Sequence, residues 1–234
     1  MKLNINKIVK KLNKNLNINI ITIDGITCSG KSVFSKLLKK KIGKIFKNLL
    51  VLPKDLFLFS RERRIKIIKK INKNSNHKEN YLQYDLNKLN KLIDVLIGKS
   101  KNKSITLSNL YDRKTGKNHR KVNFKFKKNI LIIFEGLYVL DDLKGKIKPN
   151  FKILITENIY ESLARKIERI RDKKISIQLV VTEYTKLHLR SFKNYLDRNT
   201  FNYSYTDFKR NFILIKNGKQ KQIDLINKFK IKHY

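Results

Sequence analysis

Apolar and polar residues alternate along this chain with two different periods that take turns. Ile18, Ile20, Ile21 and Ile23 make an apolar run of the kind expected for a strand covered on both faces. Val33, Phe34, Leu37 and Leu38 then recur at helical spacing, which predicts a helix from residue 32 to about residue 42. The short apolar run 49–52, closed by Pro53, predicts a second buried strand. Ile65, Ile68 and Ile71 predict a helix that ends in the polar break 72–80. Leu86, Leu89, Ile93 and Leu96 recur at three and four, an amphipathic helix stopped by Gly98. Val122, Phe124 and Phe126 alternate with polar residues, as in an edge strand or a hairpin arm.

The second half repeats the scheme. Residues 130–134 are continuously apolar, as expected for a central parallel strand, and 151–155 supply another after Pro149. Ile159, Leu163, Ile167 and Ile170 share one helical face. A longer helical pattern follows through Ile177, Val181, Tyr184, Leu187, Phe192 and Tyr195. Residues 212–215 read as a late strand, and Ile223, Ile226 and Phe229 as a closing helix. Strands separated by helices of this length imply an α/β fold: a doubly wound parallel sheet with helices on both faces. At 234 residues the chain suits one domain, taken as 18–234, with a small helical lid near 165–185 and a basic N-terminal extension over 1–17. Ligands of such sheets bind at the carboxyl ends of strands, so chemistry is sought there.

The first strand ends in Gly25-Ile26-Thr27-Cys28-Ser29-Gly30-Lys31-Ser32, which fits G-x-x-x-x-G-K-[ST] in the strand, loop and helix setting that a phosphate cradle requires. Glycines let successive amides and the helix N-terminus face one anion. Lys31 adds a point charge toward the β and γ phosphates, and Ser32 offers a hydroxyl to Mg²⁺. The expected cofactors are ATP and Mg²⁺. Three other strand-end regions carry charge. Asp55 follows the second strand, and Glu135 follows the central one, where phosphate-loop proteins place an acid that holds Mg²⁺. Arg165 and Arg169 sit one turn apart on the next helix, suited to neutralising a transferring phosphate.

Charge changes the picture less than its size suggests. Lys and Arg number 56 against 18 Asp and Glu, a formal +38, which draws polyanions and brings nucleic acid into consideration as a partner. The lysines, however, are spread over nearly every segment among Asn and Ile, the mark of AT-rich codon usage rather than of a selected basic stripe. A lone cysteine, Cys28, excludes an internal disulfide. No apolar run reaches the length of a membrane span, and the N-terminus lacks the apolar centre of a secretory signal. A soluble, cytoplasmic protein with no membrane partner is expected.

Over about residues 18–215 the chain resembles the uridine kinase, phosphoribulokinase and nicotinamide riboside kinase group of phosphate-loop kinases. The loop 25–32 is similar to that group's glycine-rich loop. Pro53-Lys54-Asp55-Leu56-Phe57 resembles its Asp-x-Phe segment, Glu135-Gly136 its motif after the central strand, and Arg165 with Arg169 its lid-helix arginines. The resemblance implies that Asp55 receives the proton of the acceptor hydroxyl. Tyr81-Leu82-Gln83-Tyr84-Asp85 is similar to the nicotinamide riboside kinase segment, which implies Asp85 on the ribose hydroxyls and a tyrosine ring, Tyr84, on the base. Tyr111-Asp112-Arg113, followed by His119-Arg120, resembles the uridine kinase segment beside the nucleoside, which implies Tyr111 and His119 there. Glu183-Tyr184 stands where uridine kinases have Gln-Tyr near the pyrimidine, and residues 171–176 stand where those enzymes carry a glycine-containing basic lid.

The expected activity is ATP-dependent phosphorylation of a ribose 5'-hydroxyl, with uridine or cytidine as the first acceptor and nicotinamide riboside as the alternative. A basic phosphate-loop protein that grips nucleic acid is the reading of a different class. Steep salt dependence and indifference to Asp55 would mark it.

Overall fold

The computed structural model describes residues 8–9, 12, 17–71, 82–98, 103–170, 175–208 and 211–229. Ile18–Gly25 forms β1 and leads through the phosphate loop into helix α1, Lys31–Ile42. Leu49–Pro53 is β2, followed by a single 3₁₀ turn, Lys54–Phe57, and by α2, Arg61–Ile71. Leu86–Leu96 is α3. Ser104–Tyr111 and Asn118–Lys125 are β3 and β4, and Ile130–Gly136 is β5. Short α4, Val139–Leu143, precedes β6, Phe151–Thr156, and α5, Ile159–Ile170. Then α6, Ile177–Thr182, runs through a π-helical stretch, Glu183–Leu189, into α7, Arg190–Arg198. Strands β7, Tyr203–Phe208, and β8, Asn211–Ile215, and helix α8, Gly218–Lys228, complete the order.

The main sheet has the order β2-β5-β1-β6-β7-β8, parallel except for β8 at one edge. Alternation along the central strands divides the core. Ile130, Ile132 and Phe134, with Ile20 and Leu52, meet Leu89, Leu92 and Ile93 of α3 on one side. Leu131 and Ile133, with Ile21 and Ile23, meet Phe34, Leu38 and Ile42 of α1 on the other. Burial on both faces is what a continuous apolar run requires. Of the N-terminal extension, Ile8 and Leu12 belong to this second core and are buried.

Of the two readings open for the alternating segment around Phe124, the structure shows the hairpin arm: it belongs to a separate antiparallel ribbon, β3–β4, outside the main sheet. Its inner residues Leu107, Leu110 and Phe124 close the core over α3. Strand β7 escaped notice because its inward alternation is built from tyrosine and serine. Tyr205 is nonetheless buried, against Phe34. The polar break 72–80 and residues 171–174 of the expected lid lie outside the described residues.

Candidate active site

Register brings the chemistry together. Pro53 of β2 and Ile23 of β1 both pair with Glu135 of β5, so the ends of three adjacent strands deliver the loop 25–30, Asp55 and Glu135 to one edge of the sheet. The first loop glycine is obligatory: a Cβ at Gly25 would lie 2.6 Å from the Ile155 carbonyl oxygen. Gly30 is left-handed at φ 91°, a conformation that costs glycine little. Cys28 adopts φ 59° without that freedom. Lys31 donates to the carbonyls of Gly25 and Ile26 at 2.8 and 2.7 Å. Burial lowers its pKa, against the pull of Glu135 and Asp55. On the outer side of the loop, Ser162 of α5 donates to the Thr27 carbonyl, and Arg165 reaches the Cys28 carbonyl at 3.5 Å.

Ser32 Oγ donates to Glu135 Oε1 at 2.9 Å. Glu135 is buried, and burial, reinforced by the charge of Asp55, raises its pKa. Asp55 itself is half-buried in the 3₁₀ turn, and its carboxylate has no hydrogen-bond or ion-pair partner among the described residues. An acid held open beside a phosphate cradle is placed to accept a proton. Its position is set by the preceding residue. Lys54 is fully buried and donates to the Leu137 carbonyl at 2.9 Å, and its ammonium pairs with Asp142 at 2.8 Å, tying the turn to the loop after β5.

Between the loop and α2 lies a cavity of about 160 Å³, bordered by Thr27, Cys28, Asp55, Tyr84, Tyr111 and Arg113. Its opposite wall comes from α5, α6 and the π-helical stretch, through Lys166, Arg169, Val180, Glu183 and His188. Lys166 Nζ pairs with Glu183 at 2.6 Å, and His188 Nε2 stands 3.4 Å from the same carboxylate. Burial works against the charge of Glu183, but Lys166 and then His188 outweigh it and hold the carboxyl well below the usual range. Burial, and then Lys166, lower the His188 pKa. The π-helical register puts Glu183 and His188 on one side of a single turn, a device common at functional sites.

The model of the phosphoribulokinase/uridine kinase family matches residues 20–211. The chain belongs to that family. Solved structures agree on the fold of this kinase. A possible uridine kinase from Bacillus stearothermophilus is 18% identical at TM-score 0.53, covering 82% of this chain and 88% of its own. D-glycerate 3-kinase from Cryptococcus neoformans is 12% identical at 0.56, covering 84% and 88%. Phosphoribulokinase from Rhodobacter spheroides is 14% identical at 0.53, covering 82% and 71%. No curated protein sequence matches the chain.

The kinase's oxygen donors fit a magnesium ion. Ser32 and Glu135 offer hard oxygen atoms already in contact, and no group of three or more His, Cys, Asp or Glu that could hold a metal occurs among the described residues. One or two protein oxygens completed by substrate phosphates is the usual magnesium arrangement.

Not every expected contact gathers at the cavity. Asp85 is committed to α3: its side chain accepts from Lys88 N at 3.1 Å and pairs with Lys88 Nζ at 3.0 Å, and it borders a neighbouring shallow groove with Phe59 and Arg63. His119 projects from β4 with half of its side chain exposed, 3.3 Å from Asp112 and away from the cavity lining. Tyr84 and Tyr111 do border the cavity, but cations already lie over their rings, Lys54 at 4.5 Å from one centroid and Arg64 at 4.9 Å from the other. Arg165 is spent on Glu157 and Glu161, at 2.5 and 3.2 Å, whereas Arg169 faces the cavity. Lys54, Lys166, Arg64 and His188 were not anticipated. Only spacing could have flagged them, Lys166 beside the lid arginines and Arg64 one turn before Ile68.

Proposed function

We propose that this kinase transfers the γ-phosphoryl of ATP to the 5'-hydroxyl of a riboside, with uridine and cytidine the first acceptors to assay and nicotinamide riboside the second. The observation that carries the reading is the unpartnered carboxylate of Asp55, in a cavity that opens onto the phosphate loop. A sugar alcohol is a weak nucleophile, yet transfer through a loose transition state needs alignment and charge neutralisation more than bond chemistry. Asp55 orients the hydroxyl and takes its proton as the new P–O bond forms and the bond to the ADP oxygen breaks. Lys31 exchanges the Gly25 and Ile26 carbonyls for phosphate oxygens, and the amides at the start of α1 face the same group. Magnesium held by Ser32 and Glu135 would neutralise charge on the phosphates. Arg169 closes over the transferring group from α5. Arg165, fixed by Glu157 and against the Cys28 carbonyl, braces the loop.

The remaining wall suits a ring. Ile65, Ile68, Leu179 and Val180 give an apolar slot beyond the tyrosines. Asp85 and His119 have no part in this assignment, because each is engaged outside the cavity. A panel of ribosides and 2'- and 5'-deoxyribosides, assayed with ATP and Mg²⁺ for phosphorylated product, tests the proposal. The ribosides should turn over and the 5'-deoxy compounds should not; product from a 5'-deoxyriboside would place the reacting hydroxyl elsewhere.

A further inference from the structure

The cationic residues of this chain are overwhelmingly lysine: 45 Lys against 11 Arg. The cavity reverses that ratio, since Arg61, Arg64, Arg113 and Arg169 border it and Lys166 is its single lysine among the described residues. Codon bias explains lysine everywhere; it does not explain arginine here. Arg169 faces the transferring phosphate in the reading above, and Lys166 is neutralised by Glu183. Arg61, Arg64 and Arg113 remain, and none of them forms an ion pair among the described residues.

Helix α2 presents Arg61, Arg64, Ile65 and Ile68 at the spacing of one face, so the cavity is cationic near the start of α2 and apolar further along. Arginines in a first turn oppose the helix dipole, a cost that an anion bound there would reverse. Arg64 is fixed without a counter-ion. Its Nε donates to the Phe59 carbonyl at 3.0 Å and its Nη2 to the Tyr111 hydroxyl at 2.8 Å, leaving three of five donors unspent. A guanidinium held in place by neutral groups is a preorganised fork for a carboxylate or phosphate. Asp55, Arg64 and Tyr84 border the same cavity, so proton acceptor and fork face one space. Arg61 packs its guanidinium against Gly116, where a Cβ would lie 2.6 Å from Cζ, and its amide donates to the Gly116 carbonyl at 2.8 Å. This fastens the start of α2 to the β3–β4 turn that carries Arg113.

We propose that the acceptor carries an anionic group, a carboxylate or a phosphate, which Arg64 grips with Arg61 and Arg113 while the hydroxyl at its other end faces Asp55. The inference rests on the riboside kinase reading and narrows it: among ribosides, an anionic one is preferred to a neutral one of the same shape.

Matched acceptors test this on the full chain with ATP and Mg²⁺. Uridine is compared with orotidine, which adds a carboxylate to the ring, and with uridine 3'-monophosphate, which adds a phosphate to the sugar; both keep the 5'-hydroxyl. One of the two should exceed uridine in kcat/KM by about 10-fold or more, the size expected of hydrogen bonds to a charged group, and which of them wins tells carboxylate from phosphate. Arg64→Gln should then reduce kcat/KM for that acceptor by at least about 10-fold more than for uridine, mainly through KM. Equal use of all three, or an Arg64→Gln loss shared equally by uridine, overturns the inference and leaves the kinase reading standing. If none is phosphorylated, calorimetric titration of the same three compounds decides: tighter binding of an anionic one that Arg64→Gln removes upholds the anion site and sinks the riboside reading, and no such difference overturns the anion site as well.

Discussion

Lys54 and Asp142 form a buried ion pair, Nζ to Oδ2 2.8 Å, one residue before the acid that faces the phosphate loop. The pair joins the 3₁₀ turn after β2 to helix α4 after β5, and therefore fixes how far Asp55 stands from Glu135. Removing one partner strands the other charge in the core. Asp142→Ala should cost about 3–5 kcal/mol of stability, measured by urea denaturation. The double variant Lys54→Met/Asp142→Leu should lie closer to the parent than either single change, because both charges leave together. Equal losses in single and double variants would show that the residues act only by packing.

Asp24, next to the first loop glycine, is wholly buried. It accepts from the Tyr195 hydroxyl at 2.5 Å and from Val139 N at 3.1 Å. Burial outweighs those donors and pushes its carboxyl from 3.8 up to about 7. The folded state therefore holds this proton more tightly than the unfolded chain. The stability that the proton contributes is complete below about pH 4 and is lost as pH rises through about 7. Asp24→Asn cannot ionise, so the parent should lose stability relative to it between about pH 4 and 7, as read by denaturant midpoints at each pH. A difference that stays constant over that interval would mean that Asp24 titrates normally.

Ser32 and Glu135 share one hydrogen bond at 2.9 Å. Ser32→Ala should leave the loop in place and raise the Mg²⁺ concentration for half-maximal rate by about 10-fold or more, in line with the loss of a metal-site oxygen partner. An unchanged Mg²⁺ requirement would remove Ser32 from the metal site.

The α/β order and the loop 25–32 were legible because both are local. Apolar runs such as 130–134 reveal a two-sided strand without reference to neighbours, and the glycine pattern reports a conformation that few other residues adopt. Asp55 and Glu135 were legible by position, since strand ends in a parallel sheet face the ligand. What stayed hidden depends on pairing across the fold. Lys54 looks like any of 45 lysines until Asp142 is found 88 residues away, and Lys166 looks like lid surface until Glu183 closes on it. Asp85 shows the converse: an acid just before a helix is also an N-cap, a second role that the sequence pattern alone did not separate from a ribose contact. The arginines became visible only when the cavity separated four of them from the lysine background.

The central claim is that Asp55 receives the acceptor's proton, and Asp55→Asn tests it most directly. The carboxylate has no partner among the described residues, so the substitution leaves no stranded charge, and the fold and ATP affinity should persist. Steady-state assay with the best riboside should show kcat reduced by about 10²-fold or more, as for loss of a general base, with nucleotide binding unchanged. Turnover within a factor of about two of the parent would contradict the account.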